Sequence, residues 1–313
     1  MNRLLQLAAA SVVLACLAAP AYAQEKYSIS LDRPLQVGQK MHVWGEGSQE
    51  FTVTATMHGR SQPPEATQSS ISFESVAEVL EVDDAGRATR VAHTIRKCEM
   101  ISDGRAVVIA PKGARLTARR GNGQTIFHVN GTTVDLQQQL MLEVVAGLDT
   151  ERDTRDELYG TSQPRALGEQ WPINADAIAK EFQRYTSTTV RTQDISGTTR
   201  LLKVIEHQGE PCQVLHTRLS AQNALPGIGM LPPGVQVKKA KLTAHFYHLL
   251  PVAEDRPASG EALTMNIDVV FTARIGPQGA RVDTRVSGQI QGRREYTPIA
   301  THAEATAQGA AAR

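Results

Sequence analysis

Aromatic residues make up only 4% of the 313-residue chain, and Trp44 and Trp171 are its two tryptophans. That scarcity argues against a stacking surface for single-stranded nucleic acid or sugars. Net charge is missing as well: Lys+Arg number 33 against 32 for Asp+Glu, and 32 against 32 once a leader whose one charged residue is Arg3 is set aside. No global field draws the chain to nucleic acid or to an anionic membrane, which leaves only local patches for such contacts. There is no Gly-x-Ser-x-Gly elbow, phosphate-cradling loop, dinucleotide fingerprint or His-Glu-x-x-His helix. Carboxylates are plentiful but sit in no recognisable pair, so the sequence assigns no catalytic residue, no metal and no cofactor.

Long hydrophobic runs are confined to the start of the chain. Residues 1–23 have a positive beginning (Arg3), an apolar run from Leu4 to Ala19, and a small-x-small site at Ala21-Tyr22-Ala23, which together read as a signal peptide. A second reading uses Val13-Leu14-Ala15-Cys16, in which Cys16 is lipidated and becomes a membrane anchor. Either way the expected location is periplasmic or extracellular. No later stretch is long and apolar enough for a helical span.

Cysteine is sparse too. Beyond Cys16 there are Cys98 and Cys212, which an oxidising compartment permits to pair as a bridge between the two parts of the chain. Two separate buried thiols are the alternative.

What the chain does have is alternation. Tyr27, Ile29 and Leu31, then Met41 and Val43, then Phe51 and Val53 recur with period two, with Gly45, Gly47 and Ser48 read as a turn. Ile71–Val82 and Arg87–Arg96 form a hairpin around Asp83-Asp84-Ala85-Gly86, and Asn130-Gly131 suits a tight turn. Polar residues up to Ser70 need no order. The longest clean strand is Leu263 to Ile275. Helical spacing appears over residues 134–148, and again over Ala175–Phe182 behind Asn174 as N-cap. The charged segment Asp149–Tyr159 reads as a solvated helical turn.

Domain organisation follows: residues 24–160 as an N-terminal β-rich half, 161–298 as a C-terminal one, and 299–313 as a disordered Ala-rich tail. The fold class is mainly β, a β-rich α+β arrangement of two related, curved antiparallel sheets, each with a short covering helix. Internal duplication is suggested by placing Gly86 on Gly209, which sets Val91 on Val214 and His93 on His216. The second half opens at Leu167-Gly168-Glu169-Gln170-Trp171-Pro172, where Gly168 permits a turn and Trp171 anchors a core.

Of the chain's histidines, His245 and His248 are three apart and on a strand would face opposite sides, which disfavours a shared metal. The least ordinary loop, Asn223–Val235, places Leu225, Ile228, Met230 and Leu231 among six Gly and Pro residues. Exposed apolar surface of this kind is a candidate contact for a ligand or partner. The bland counterpart is a loop capping its own core.

Asp156-Glu157-Leu158-Tyr159-Gly160 followed by Leu167-Gly168-Glu169-Gln170-Trp171-Pro172, behind a signal peptide, resembles uncharacterised exported bacterial proteins of planctomycete type. In these a Gly-Asp/Glu-x-Trp element recurs between two β-rich halves. The resemblance covers Val134 to Ile173 and otherwise only the general layout. It implies export and a β-rich fold, and it transfers no catalytic residue. The expected role is that of a non-enzymatic envelope protein binding an apolar small molecule or an envelope protein partner in a sheet concavity. The alternatives are an assembly protein acting through surfaces and strand edges, or a hydrolase, which needs a convergent polar cluster.

Overall fold

The computed structural model describes residues 25–57, 59–121, 123–151, 153–185, 190–223, 235–275 and 280–299. The first part of the chain forms β1 (Lys26–Tyr27), β2 (Lys40–Met57), β3 (Arg60–Ser61), β4 (Glu65–Val82), β5 (Ala88–Ser102), β6 (Arg105–Val108), β7 (Arg115–Arg120), β8 (Thr125–Val129), β9 (Thr132–Thr133) and helix α1 (Leu136–Ala146). The second part follows with helix α2 (Arg155–Tyr159), β10 (Arg165–Ala166), β11 (Gln170–Pro172), helix α3 (Ala175–Tyr185), β12 (Ile195–His207), β13 (Glu210–Gln222), β14 (Gln236–Pro251), β15 (Gly260–Ile275) and β16 (Ala280–Pro298). The fold is β-rich, as the alternation requires.

Fourteen of the described strands, from both parts, join in one antiparallel sheet, running β11-β12-β13-β14-β15-β16-β2-β4-β5-β7-β8-β9 with β3 and β6 attached beside this path, while β1 and β10 form a separate two-stranded sheet. The expectation of two sheets is corrected here. The seam is the β16–β2 ladder, from Val282↔Met57 to Pro298↔Met41, one of the longest in the molecule. Long strands in register leave no edge between the halves at which two sheets would part.

The division at residue 160 is also blurred by the first described residues. Lys26 and Tyr27 pair with Ala166 and Arg165, while Ile29 and Leu31 share a buried cluster with Trp171, Leu201, Leu215 and Leu250. The segment from Lys26 to Leu31 therefore completes the core of the second part.

One face of the sheet carries the core. Alternation puts Met41, Val43, Phe73, Ala77, Ile95, Leu116 and Phe127 on it, and α1 closes over them with Met141, Leu142 and Val145. Helix α1 starts where Asp135 accepts from the Gln138 amide in a capping box. Over the second part, α3 packs Ala177 and Ile178 against Leu219, Leu242 and Ala244, and Asn174 Oδ1 accepts from the Ala177 amide at its start. Each region of the sheet thus has its own short helix on the same face.

Three expectations change. Gly45 and Gly47 make no turn: they lie within the 18-residue strand β2. They face α1, and a Cβ on Gly47 would stand 2.8 Å from Val144 Cγ1. Absence of side chains lets the helix sit against the sheet. The polar run before Ser70 is ordered as the beginning of β4, paired with β2 from Glu65↔Val53 onward. Finally, the duplication alignment meets the pleat: His93 lies on the helix-bearing face opposite Ala77 and Leu116, whereas Leu215, next to His216, belongs to that face. His216 points the other way, so the offset matches residues of opposite facing.

The turn predictions fare better. Gly86 has φ +76° and Asn130-Gly131 have φ +48° and +87°, the left-handed values that a tight hairpin turn demands.

Candidate functional site

A cavity of about 140 Å³ lies on the helix-bearing face at the junction of the two parts. Its floor crosses neighbouring strands: Val91 and His93 of β5, Ala77 and Val79 of β4, Met41 and Val43 of β2, Tyr296 and Arg294 of β16, and Glu261 of β15. Its walls come from Leu31–Leu35, from the end of α1 through Leu148 and Asp149, and from Pro257 and Ala258. Most of the lining is aliphatic. One end is charged.

The charged end is a closed ion cluster. Arg155 donates to Asp149 Oδ1 at 2.6 Å and to Glu261 Oε1 at 2.9 Å. Arg294 reaches Glu261 Oε2 at 3.6 Å and donates to the Gly147 carbonyl at 2.7 Å. Burial would raise the Glu261 carboxyl, but Arg155 and Arg294 outweigh it and hold the group well below the usual carboxylate range. The sequence expectation of a solvated segment is thereby corrected for Arg155, whose side chain is only 19% exposed. Helix α2 directs it across the sheet, because Thr154 caps the helix and fixes the first turn.

Both remaining basic groups of the wall are engaged. Arg33 donates to the carbonyls of Ala253 and Pro251, at 2.9 Å each. Arg87 is bound to Asp83 and donates to the Glu151 carbonyl. The terminal nitrogens of Arg33 are thus spent on protein oxygens, while its buried Nε has no partner among the described residues.

Two imidazoles are buried on this face. His93 accepts or donates at Nδ1 with Ser75 Oγ at 3.0 Å, and its Nε2 has no partner among the described residues. His248, opposite Glu261 in the β14–β15 ladder, has a partner at neither ring nitrogen among the described residues. Burial lowers both to about 4, so both are neutral at pH 7. His245 points to the other face and meets His216 there, Nδ1 to Nε2, at 3.0 Å. The opposed facing read from the three-residue spacing is what the strand produces. Among the described residues no three His, Cys, Asp or Glu side chains come together in a way that could hold a metal ion.

Cys98 and Cys212 are free and buried. The bridge between Cys98 and Cys212 is corrected: β5 and β13 are separated by five strands, about 29 Å along the sheet at ordinary strand spacing. A disulfide spans a Cα separation of about 6 Å. Burial pushes the Cys98 thiol up to about 12, which removes it as a nucleophile near neutral pH.

Gly168 has φ +83°, and its carbonyl accepts from Arg200 Nε at 2.9 Å. Trp171 is 3% exposed and donates from Nε1 to the Tyr159 carbonyl at 2.8 Å. Neither borders the cavity. Leu225, Ile228, Met230 and Leu231 lie outside the described residues. The polar residues that do meet at the cavity were missed, although a signal existed. Glu261 is in phase with the apolar run Leu263, Met265 and Ile267, and Arg294 with Gly292 and Ile290, so each was a charge on the inward stripe.

No family model matches the sequence, and no curated protein matches it. Among solved structures, one titled for lipid-protein interactions in lipovitellin aligns at 7% identity and TM-score 0.29, over 86% of this chain and 26% of that one. The chain spans about a quarter of that protein's length. The outer membrane protein OprG from Pseudomonas aeruginosa aligns at 7% identity and TM-score 0.17, over 85% of this chain and 99% of that one. An outer membrane channel from Pseudomonas putida F1 aligns at 9% identity and TM-score 0.19, over 85% and 99% of the two chains. Likenesses this slight carry no argument about function, and no described helix is long and apolar enough to cross a membrane.

Proposed function

We propose that the protein is an exported, non-enzymatic binding protein that holds a compact, mainly apolar molecule in the cavity between its two parts. The observation that carries this reading is the cavity itself: about 140 Å³, lined mainly by aliphatic side chains, with residues drawn from both parts of the chain. Apolar cavities of about 150 Å³ stay dry and accept benzene, which sets the size of the ligand or ligand group. The arginines of the wall are already matched by Asp149, Glu261, Asp83 and backbone carbonyls. An anionic head group would have to displace these partners, so a neutral ligand fits better. Export rests on the leader at residues 1–23, with lipidation at Cys16 as the variant reading, and kinship with exported planctomycete-type proteins belongs to the same proposal.

An assembly protein acting through its edges would be expected to have a filled interior, and the cavity speaks for the binding reading. The test is titration of the purified protein with toluene, followed by methyl NMR. Signals of Val43, Val79, Val91 and Val145 should shift saturably, and Ala77→Phe, which places a ring in the cavity, should abolish the shifts. Methyl signals that stay put at saturating toluene overturn the reading.

A further inference from the structure

The aliphatic floor of the cavity is interrupted at one end by His93. This side chain is 4% exposed and lies edge-on to Phe73, with ring centroids 5.4 Å apart and planes at 75°. Its Nδ1 meets Ser75 Oγ at 3.0 Å. Ser75 is fully buried, and His93 is its one side-chain hydrogen-bond partner among the described residues. A buried hydroxyl has a proton to place. Ser75 places it on Nδ1, and this selects the tautomer with its proton on Nε2. That nitrogen is buried and has no partner among the described residues, and the His93 side chain lines the cavity. A buried N–H left unmatched is costly, whereas a matched one favours whatever supplies the acceptor.

Nothing on the neighbouring floor supplies that acceptor. Ala77 and Leu116 stand opposite His93 in the two ladders, and both are apolar. The carboxylates of the cavity have other partners: Asp32 accepts from the Arg155 and Asp156 amides, Asp149 from Arg155, and Glu261, on β15 and four strands from β5, is held by Arg155 and Arg294. Four strand spacings amount to about 19 Å along a flat sheet. The floor between the two ends is mainly aliphatic, and among the described residues His93 Nε2 is the unpartnered buried donor on the β5 strand, while Arg33 Nε in the wall is a second.

Resting on the binding reading above, we propose that the ligand carries a neutral hydrogen-bond acceptor, a ketone, ester or ether oxygen, which takes the proton of His93 Nε2. The apolar body of the ligand lies over Ala77, Val79 and Val91. His93 is thus the residue that makes the cavity prefer a compact carbonyl compound to a hydrocarbon of the same size.

The experiment compares cyclohexanone with methylcyclohexane on the purified wild-type protein, His93→Leu and His93→Gln, by titration. His93→Leu removes the donor at similar volume, and His93→Gln keeps an N–H. The affinity ratio of ketone to hydrocarbon should fall about three- to tenfold in His93→Leu, the worth of one net hydrogen bond, and be largely retained in His93→Gln. In wild type labelled with ¹⁵N-histidine, cyclohexanone should move the Nε2 resonance of His93 and leave that of Nδ1 nearly still. This readout needs no variant to fold. If His93→Leu weakens both compounds equally, or if Nε2 does not respond to bound cyclohexanone, a water satisfies His93 and the proposal fails while the cavity reading stands. If neither compound binds wild type, both fall together.

Discussion

Asp32 and Asp156 hold each other's backbone. The Asp156 amide donates to Asp32 Oδ2 at 2.8 Å, and the Arg155 amide donates to Asp32 Oδ1 at 3.2 Å. In return Asp156 Oδ1 accepts from the Leu31 amide at 2.7 Å. Each carboxylate thus satisfies donors on the other's segment, and the pair fastens the Leu31-Asp32 segment onto the first turn of α2. The consequence reaches the cavity, since Leu31 and Arg155 both line it.

Replacing Asp32 by Ala should therefore loosen two segments at once. Hydrogen bonds to a charged acceptor contribute about 1.5–3 kcal/mol each, and the two lost here are partly exposed, so a loss of about 1–3 kcal/mol in urea unfolding is expected. Hydrogen exchange gives the sharper measurement. The Leu31 amide, which Asp32 does not touch, should lose protection along with those of Arg155 and Asp156. Unchanged exchange at Leu31 would show that the two anchors act independently.

How much of this was legible follows from which interactions are local. The α1 and α3 helices and the Asp83–Gly86 and Asn130-Gly131 turns depend on residues a few positions apart, and periodicity with turn chemistry found them. Gly45 and Gly47 were misread because a glycine in a strand looks the same whether it turns the chain or admits a helix. Val144, nearly 100 positions later, decides between the two. The ion cluster joins Asp149 and Arg155 to Glu261 and Arg294, and no local pattern links residues that far apart. The continuity of the sheet turns on the β16–β2 ladder, which is likewise a long-range pairing.

That ladder and its glycines lead to a packing prediction. In Gly47→Ala the new methyl would lie 2.8 Å from Val144 Cγ1 and 3.2 Å from Ile71 Cγ2, so the Val144 side chain or α1 itself must shift. Overpacking of this kind costs about 1–3 kcal/mol. Adding Val144→Ala should recover part of the loss, because the two changes meet at one contact. Urea denaturation of the single and double variants checks it, and simple additivity would rule out the clash.

The ion cluster gives a coupling prediction. Arg155→Met leaves Asp149 without its cation and Glu261 with Arg294 alone, and breaking one partner of a buried pair costs about 3–5 kcal/mol. Arg155→Met combined with Glu261→Gln removes charges of both signs. The double variant should be more stable than the sum of the two single losses predicts, by about 1 kcal/mol or more, in a urea-unfolding cycle.

Glu143 makes the stability of the protein depend on pH in a window that can be named. Burial of this α1 residue against β8 pushes its carboxyl up to about 7, against the hydrogen bond from Thr125 Oγ1. In the unfolded chain the group titrates near its ordinary value of about 4.3. Between these limits the folded state binds more protons than the unfolded state, so this residue's contribution to stability falls as pH rises and levels off above about 7. Glu143→Gln keeps an acceptor for Thr125 and cannot ionise. Its stability relative to wild type should therefore rise between pH 5 and pH 8, by about 1–3 kcal/mol, since each tenfold difference in proton affinity between folded and unfolded chain is worth about 1.4 kcal/mol. Taking the difference between the two proteins at each pH cancels the other titrating groups, including His93 and His248, whose lowered values act in the opposite sense at acid pH. A difference that stays constant from pH 5 to pH 8 would mean that Glu143 is ionised throughout, with a partner or solvent at its carboxylate that offsets the burial.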